Sequence, residues 1–176
     1  MADIRGRVEE DQGILKKIQM FVPGFRGYRR KEDLRDADKM LRMQLAQKLA
    51  LQRRSLEDCR SLITKTFNSK PLEVLGGLIS QFKKVEGQVN FAEMGYSGIS
   101  TDIAVKEDEL NKIYEFDAGL IGDTVMMAQS IDKLKYSLAQ QDDAKALVDM
   151  MEIKARITDF EDVFHRRIVV MEGTEV

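Results

Sequence analysis

The stretch Val22–Arg42, VPGFRGYRRKEDLRDADKMLR, decides how the chain divides. Pro23-Gly24 closes one helical pattern, because proline lacks an amide proton and glycine tolerates turn geometry. From Lys31 to Phe67 there is neither glycine nor proline. Across that run Leu34, Leu41, Leu45, Leu49, Leu56, Cys59, Ile63 and Phe67 recur in steps that keep one helical face, with polar gaps at Asp38 and Gln52. A helix of that length is roughly 50 Å long at 1.5 Å per residue.

Upstream, Ile4, Val8, Leu15, Ile18 and Phe21 predict a first helix from Asp3 to Met20, with Gly13 as its weak point. Downstream, Asn68-Ser69-Lys70-Pro71 stops the long helix and admits a third, Leu72 to Val85. EGQVNFAEMGYSGISTDIAV, Glu86–Val105, then breaks the period with three glycines and two aromatics, and reads as an ordered, packed loop near 86–104. Lys106–Gln140 predicts a second long helix. Asp142 or Asp143 is placed to cap a last one reaching Ile168. The expectation is one all-α domain over 1–176: an antiparallel bundle of about five helices, three of them long, with 172–176 as a flexible tail.

The chain has 176 residues, 43% apolar and 33% charged, with a formal net charge of -2. No whole-molecule field favours nucleic acid. A single cysteine, Cys59, rules out an internal disulfide and suits a reducing compartment. The first residues carry charges rather than a signal-peptide core, and no apolar run approaches the roughly 20 residues of a membrane span. A soluble cytoplasmic protein is expected.

The catalytic sets are incomplete. Di-iron bundles need paired Glu-x-x-His motifs, and this chain has one histidine, His165. His165, beside Arg166 and Arg167, reads as a helix C-terminal cation facing the dipole. Cys59 sits on an apolar stripe and reads as a structural thiol. There is no phosphate loop and no dinucleotide fingerprint, so no cofactor and no metal are expected. Gly76-Gly77 and Gly119/Gly122 fall within predicted helices, where close helix approach explains them.

Asp38 and Asp117 are the polar anomalies, each on an apolar stripe where a lone carboxylate is costly. Arg26, Arg35 and Arg42 are the candidate partners of Asp38. A structural ion pair that fixes register competes with a polar pocket inside the bundle. The second anomaly is charge segregation: Val22–Arg60 holds eleven Lys/Arg against six Asp/Glu, and Glu93–Asp162 seven against sixteen. Arg26, Arg29, Arg30, Lys31 and Arg35 surround a helix start, and so form a candidate anion site, competing with a solvated face. A peripheral membrane contact is a lesser alternative, because Phe21, Phe25 and Tyr28 interleave with the basic residues while Glu9, Glu10 and Asp11 oppose it. Gly24-Phe25-Arg26-Gly27 has a short echo in Gly95-Tyr96-Ser97-Gly98, explained by turn chemistry.

PGFRGYRRKEDLRDADKMLR, with the later GYSGI and KIYEFDAGLIG, resembles a group of uncharacterised prokaryotic proteins. In these, a PGY-x-GY turn leads into an Arg/Asp-rich helix and a Y-E-x-D stretch opens a later one. The resemblance covers about a quarter of the chain and implies no activity. It does imply that Asp38 and Asp117 belong to one recurring motif, and so lie near each other.

The function expected is non-enzymatic: a bundle acting through a protein partner or through its own copies as a homo-oligomer. A binder of an anionic small molecule or lipid headgroup at Arg26–Arg35 is the alternative. An enzyme using Asp38, Asp117 and the arginines comes third.

Overall fold

The computed structural model describes residues 4–27, 31–63, 69–92 and 107–172; of 4–11, 31–35, 69, 107–109 and 172 it describes the backbone alone. Five helices account for nearly all of it: α1 (Ile4–Phe21), α2 (Lys31–Ile63), α3 (Ser69–Phe91), α4 (Glu107–Ala139) and α5 (Asp143–Glu172). No strand occurs among the described residues. The helices share a core built from stripes such as Leu41, Leu45, Leu49 and Leu56 on α2 and Ile153, Ile157, Phe160 and Phe164 on α5.

The bundle is made of two antiparallel hairpins. In the first, Arg53 of α2 pairs with Glu86 of α3, and Arg42 reaches the Val89 carbonyl, so the two helices run oppositely. In the second, Ser130 meets Glu152 and Ser137 meets Asp149 across α4 and α5. The hairpins lie side by side, with α2 against α4 and α3 against α5. Both of these neighbouring pairs are parallel: Gln81 meets Thr158, and Lys84 meets Glu161 three residues further on in each helix. α3 and α4, consecutive in sequence, therefore occupy diagonal corners, and a tight turn cannot join them. α1 lies along α4, its Lys17 donating to the Ala118 carbonyl, and touches α2 where Lys48 stands over the Phe21 ring.

α3 continues through the segment expected to be loop, as far as Phe91. Val85 and Val89 are fully buried on the same face as Phe82, so the apolar stripe outlasts Gly87. One helical glycine costs about 1 kcal/mol, too little to end a helix that is still burying surface. The rest of the expected loop, from 93 onward, lies outside the described residues, as does the tail from 173. The α4–α5 turn follows helix-end chemistry. The Asp142 amide reaches back to the Ser137 carbonyl, Gln141 takes φ 58°, and the Asp142 carboxylate accepts the Lys145 amide. Of the two aspartates expected to cap α5, Asp142 does so.

Candidate functional site

Asp38 and Asp117 are both completely buried, and a third residue joins them. Arg167 of α5 donates from Nη1 to Asp38 Oδ1 at 2.6 Å and from Nε to Asp117 Oδ1. The other Asp38 oxygen accepts from Arg42 Nε at 2.7 Å. Arg42 also donates to the Val89 carbonyl in the last turn of α3, one of the acceptors that a helix end leaves open. The two guanidiniums match the two carboxylates in charge. Arg167 has no solvent exposure, and Arg42 shows 13% of its side chain. Four helices thus send a group to one end of the bundle. Burying such charges costs several kcal/mol per ion unless every one is paired and hydrogen-bonded, which this network provides.

The turn after α1 closes over the same end. The Val22 amide bonds the Ile18 carbonyl and the Phe25 amide bonds the Val22 carbonyl, so the chain reverses tightly at Pro23-Gly24. Phe25 is buried, and Gly24 and Gly27 take φ of +85° and +88°. A Cβ on Gly27 would stand 2.8 Å from the Tyr114 hydroxyl of α4. Gly27 is therefore glycine for two reasons, backbone conformation and contact.

The basic corner is only partly described. Arg26 is exposed and does not neutralise Asp38; Arg42 and Arg167 do. Residues 28–30 and the side chains of Lys31 and Arg35 lie outside the described residues, so the proposed convergence of Arg26, Arg29, Arg30, Lys31 and Arg35 does too.

Two other readings change. His165 is not a terminal cation facing the helix dipole, because α5 runs on past it to Glu172, and its neighbour Arg167 turns into the core. His165 and Arg166 stay exposed on the other side. The helical glycines do not mark close approach: nothing lies within 4 Å of a Cβ built on Gly76, Gly77 or Gly119, and Gly122 meets only the Lys17 amine at 3.6 Å. Cys59 is buried with its thiol donating to the Ser55 carbonyl, and burial pushes its pKa up to about 11. Too little thiolate forms near neutral pH for nucleophilic work. Among the described residues no group of three His, Cys, Asp or Glu is placed to hold a metal, and no helix is long and apolar enough to cross a membrane.

Arg167 was the residue that sequence reasoning missed. The signal was present: Phe160, Phe164, Arg167 and Met171 keep steps of three and four, and all four are buried. The apolar reading preferred Ile168, which is only half-buried. A long side chain between two other charged residues looks like surface until something tertiary claims it.

The second feature of note is on the outside. α5 carries a second apolar line opposite its core face: Ala144, Val148, Met151 and Ala155, all exposed, with Val148 at 63% and Met151 at 69%. Beside it an open groove between α4 and α5 is lined by Lys133, Tyr136, Lys145, Asp149 and Glu152.

The fold and its buried network define the chain as an all-α bundle whose helix ends are tied by an Asp–Arg–Asp bridge. Comparison with protein-family models, with curated proteins and with solved structures finds no match to this chain.

Proposed function

We propose that this protein is a non-enzymatic helical bundle that works by association, with another macromolecule or with copies of itself. The observation that carries the reading is the exposed apolar line on α5, where Val148 and Met151 are each more than 60% exposed. Their burial in the fold contributes little, so their apolar surface is available to a partner. The interior supports the same reading. Among the described residues Asp38, Asp117 and Arg167 are fully buried charged groups bonded to one another out of reach of solvent. A general acid or base must touch its substrate. A free, buried cysteine fits a cytoplasmic setting.

The test is a paired substitution, Val148→Glu with Met151→Glu. Both positions are exposed, so helicity and melting temperature should hold. Association, measured by light scattering for the chain alone and by affinity capture for other macromolecules, should be lost. Association that is unchanged by the pair would move the function to another surface.

A further inference from the structure

We propose that the partner of the α5 line is α5 of a second copy, packed antiparallel about a two-fold axis at the level of Asp149 and Met150. The inference rests on the association reading above and names its partner.

The line is self-complementary. Its steps run four, three, four, from Ala144 to Val148, Met151 and Ala155, so reversing it about its midpoint reproduces it. Antiparallel packing then sets Val148 against Met151 of the second copy and Ala144 against Ala155, large with large at the axis and small with small at the ends. This is the spacing of a coiled-coil seam, added to a helix whose opposite face, through Ala146, Met150, Ile153 and Ile157, is already buried in its own bundle.

Charge selects the orientation. Lys145 and Glu152 lie one above the other on the α4 side of the line, seven residues apart. An antiparallel two-fold keeps that side facing its own counterpart and brings Lys145 of each copy towards Glu152 of the other, twice over. Glu152 remains partly exposed while bonded to Arg156 and Ser130, and so has an oxygen to offer. A parallel pairing would continue along the helix and set Asp162 against Asp162 of the second copy, a like-charge contact on the seam. In the antiparallel arrangement the acidic residues Asp159, Glu161 and Asp162 fall beyond the paired segment. Tyr136 of α4, 62% exposed with the Lys145 amine 5.8 Å from its ring centroid, widens the apolar edge on that side.

Three turns of one helix and one tyrosine are a small patch compared with the roughly 1,600 Å² of a standard interface. The dimer should therefore dissociate at concentrations on the order of micromolar.

The experiment uses the full chain at 1 to 200 µM (about the range such an interface requires). Light scattering should show the mass rising from 20.1 kDa towards twice that value, and Val148→Glu with Met151→Glu should hold it at the monomer. Under mild oxidation an Ala144→Cys chain mixed with an Ala155→Cys chain should give a crosslinked pair, while neither crosslinks efficiently alone. The native Cys59 is buried and does not compete. Efficient self-crosslinking of Ala144→Cys or of Ala155→Cys alone would show parallel packing and overturn the arrangement. A monomer at every concentration would overturn the dimer outright. If that monomer still captures another macromolecule in a way the double glutamate variant abolishes, the association reading survives without the dimer; if it captures none, both fall.

Discussion

Arg167 Nη1 lies 2.6 Å from Asp38 Oδ1, with both side chains fully out of solvent and the two residues 129 positions apart in sequence. The same guanidinium holds Asp117, 50 residues away. One side chain of α5 thereby sets the relative positions of α2 and α4. Removing one partner of a buried ion pair costs about 3–5 kcal/mol, because the charges left behind are stranded. Arg167→Met should lose stability of that order in urea unfolding. Arg167→Lys should recover little of it, since a single ammonium cannot reproduce a planar fork directed at two carboxylates. Adding Asp38→Asn to Arg167→Met should cost less than the two separate losses summed. A loss below about 1 kcal/mol for Arg167→Met would show that the network does not hold this end together.

Gly24 and Gly27 share a left-handed backbone, and they differ in what surrounds them. Beyond Gly24 the nearest atom to an added Cβ is the Met40 methyl at 3.5 Å, an ordinary contact; beyond Gly27 it is the Tyr114 hydroxyl at 2.8 Å. Gly24→Ala should cost about 1–2 kcal/mol from backbone conformation alone. Gly27→Ala should cost more. Tyr114→Phe should be better tolerated in the Gly27→Ala background than in the wild type, because it removes the clashing oxygen. Melting temperatures of the wild type and the four variants decide this. Equal losses for the two glycine variants would deny the Tyr114 contact.

Gly77 and Gly119 sit inside helices with open space where a Cβ would be. Alanine there should raise stability by about 0.5–1 kcal/mol each, through lower unfolded-state entropy and better helix propensity. Thermal unfolding should show it as a rise of about 2–4 °C per kcal/mol for a chain of this size. A destabilised variant would restore the close-approach reading that the structure overturns.

Two carboxyls, Asp123 on α4 and Glu161 on α5, have a definite pH signature. Burial raises the Asp123 pKa, with Asp159 adding to it and Arg156 and Lys17 opposing. A carboxyl raised in the folded state favours folding below its unfolded value of about 3.9, and that contribution is lost as the pH rises through the folded value. Asp123→Asn should therefore be more stable than the wild type at pH 7 (roughly three units above the unfolded value), with the advantage shrinking as acid is added. Glu161 has the opposite sign. Its bond from Lys84, then that from Gln88, lowers its pKa against the cost of burial. It contributes stability above the usual glutamate range and loses it as the pH falls through the lowered folded value, so Glu161→Gln should be most damaging near neutrality. Unfolding free energies of the three chains across the acid range check both signs. An Asp123→Asn advantage that grows on acidification would contradict the assignment.

Most of the architecture was legible in the chain because helices report themselves locally. The steps of Leu41, Leu45 and Leu49, the freedom from proline after Lys31 and the turn residues at Pro23-Gly24 all act within a few residues, and each was readable without a partner. The same periodicity exposed Asp38 and Asp117 as carboxylates on apolar stripes, and so as residues in need of a cation. It could not say which cation. Arg35 was as near in sequence as Arg42, Arg26 stood in the turn just upstream, and Arg167 looked like one more cation beside His165. The α3 boundary was misread because glycine was weighed by propensity, whereas Val89 was burying surface against helices that sequence reasoning could not place. The decision to lay α2 beside α4, and not α3 beside α4, belongs to the packing of two whole hairpins. Only that packing brings Arg167 between two aspartates 79 positions apart in the chain. Hydrophobic period is a property of a few consecutive residues; the pairing of buried charges is a property of the completed bundle, because only there is water gone and the need for a partner enforced.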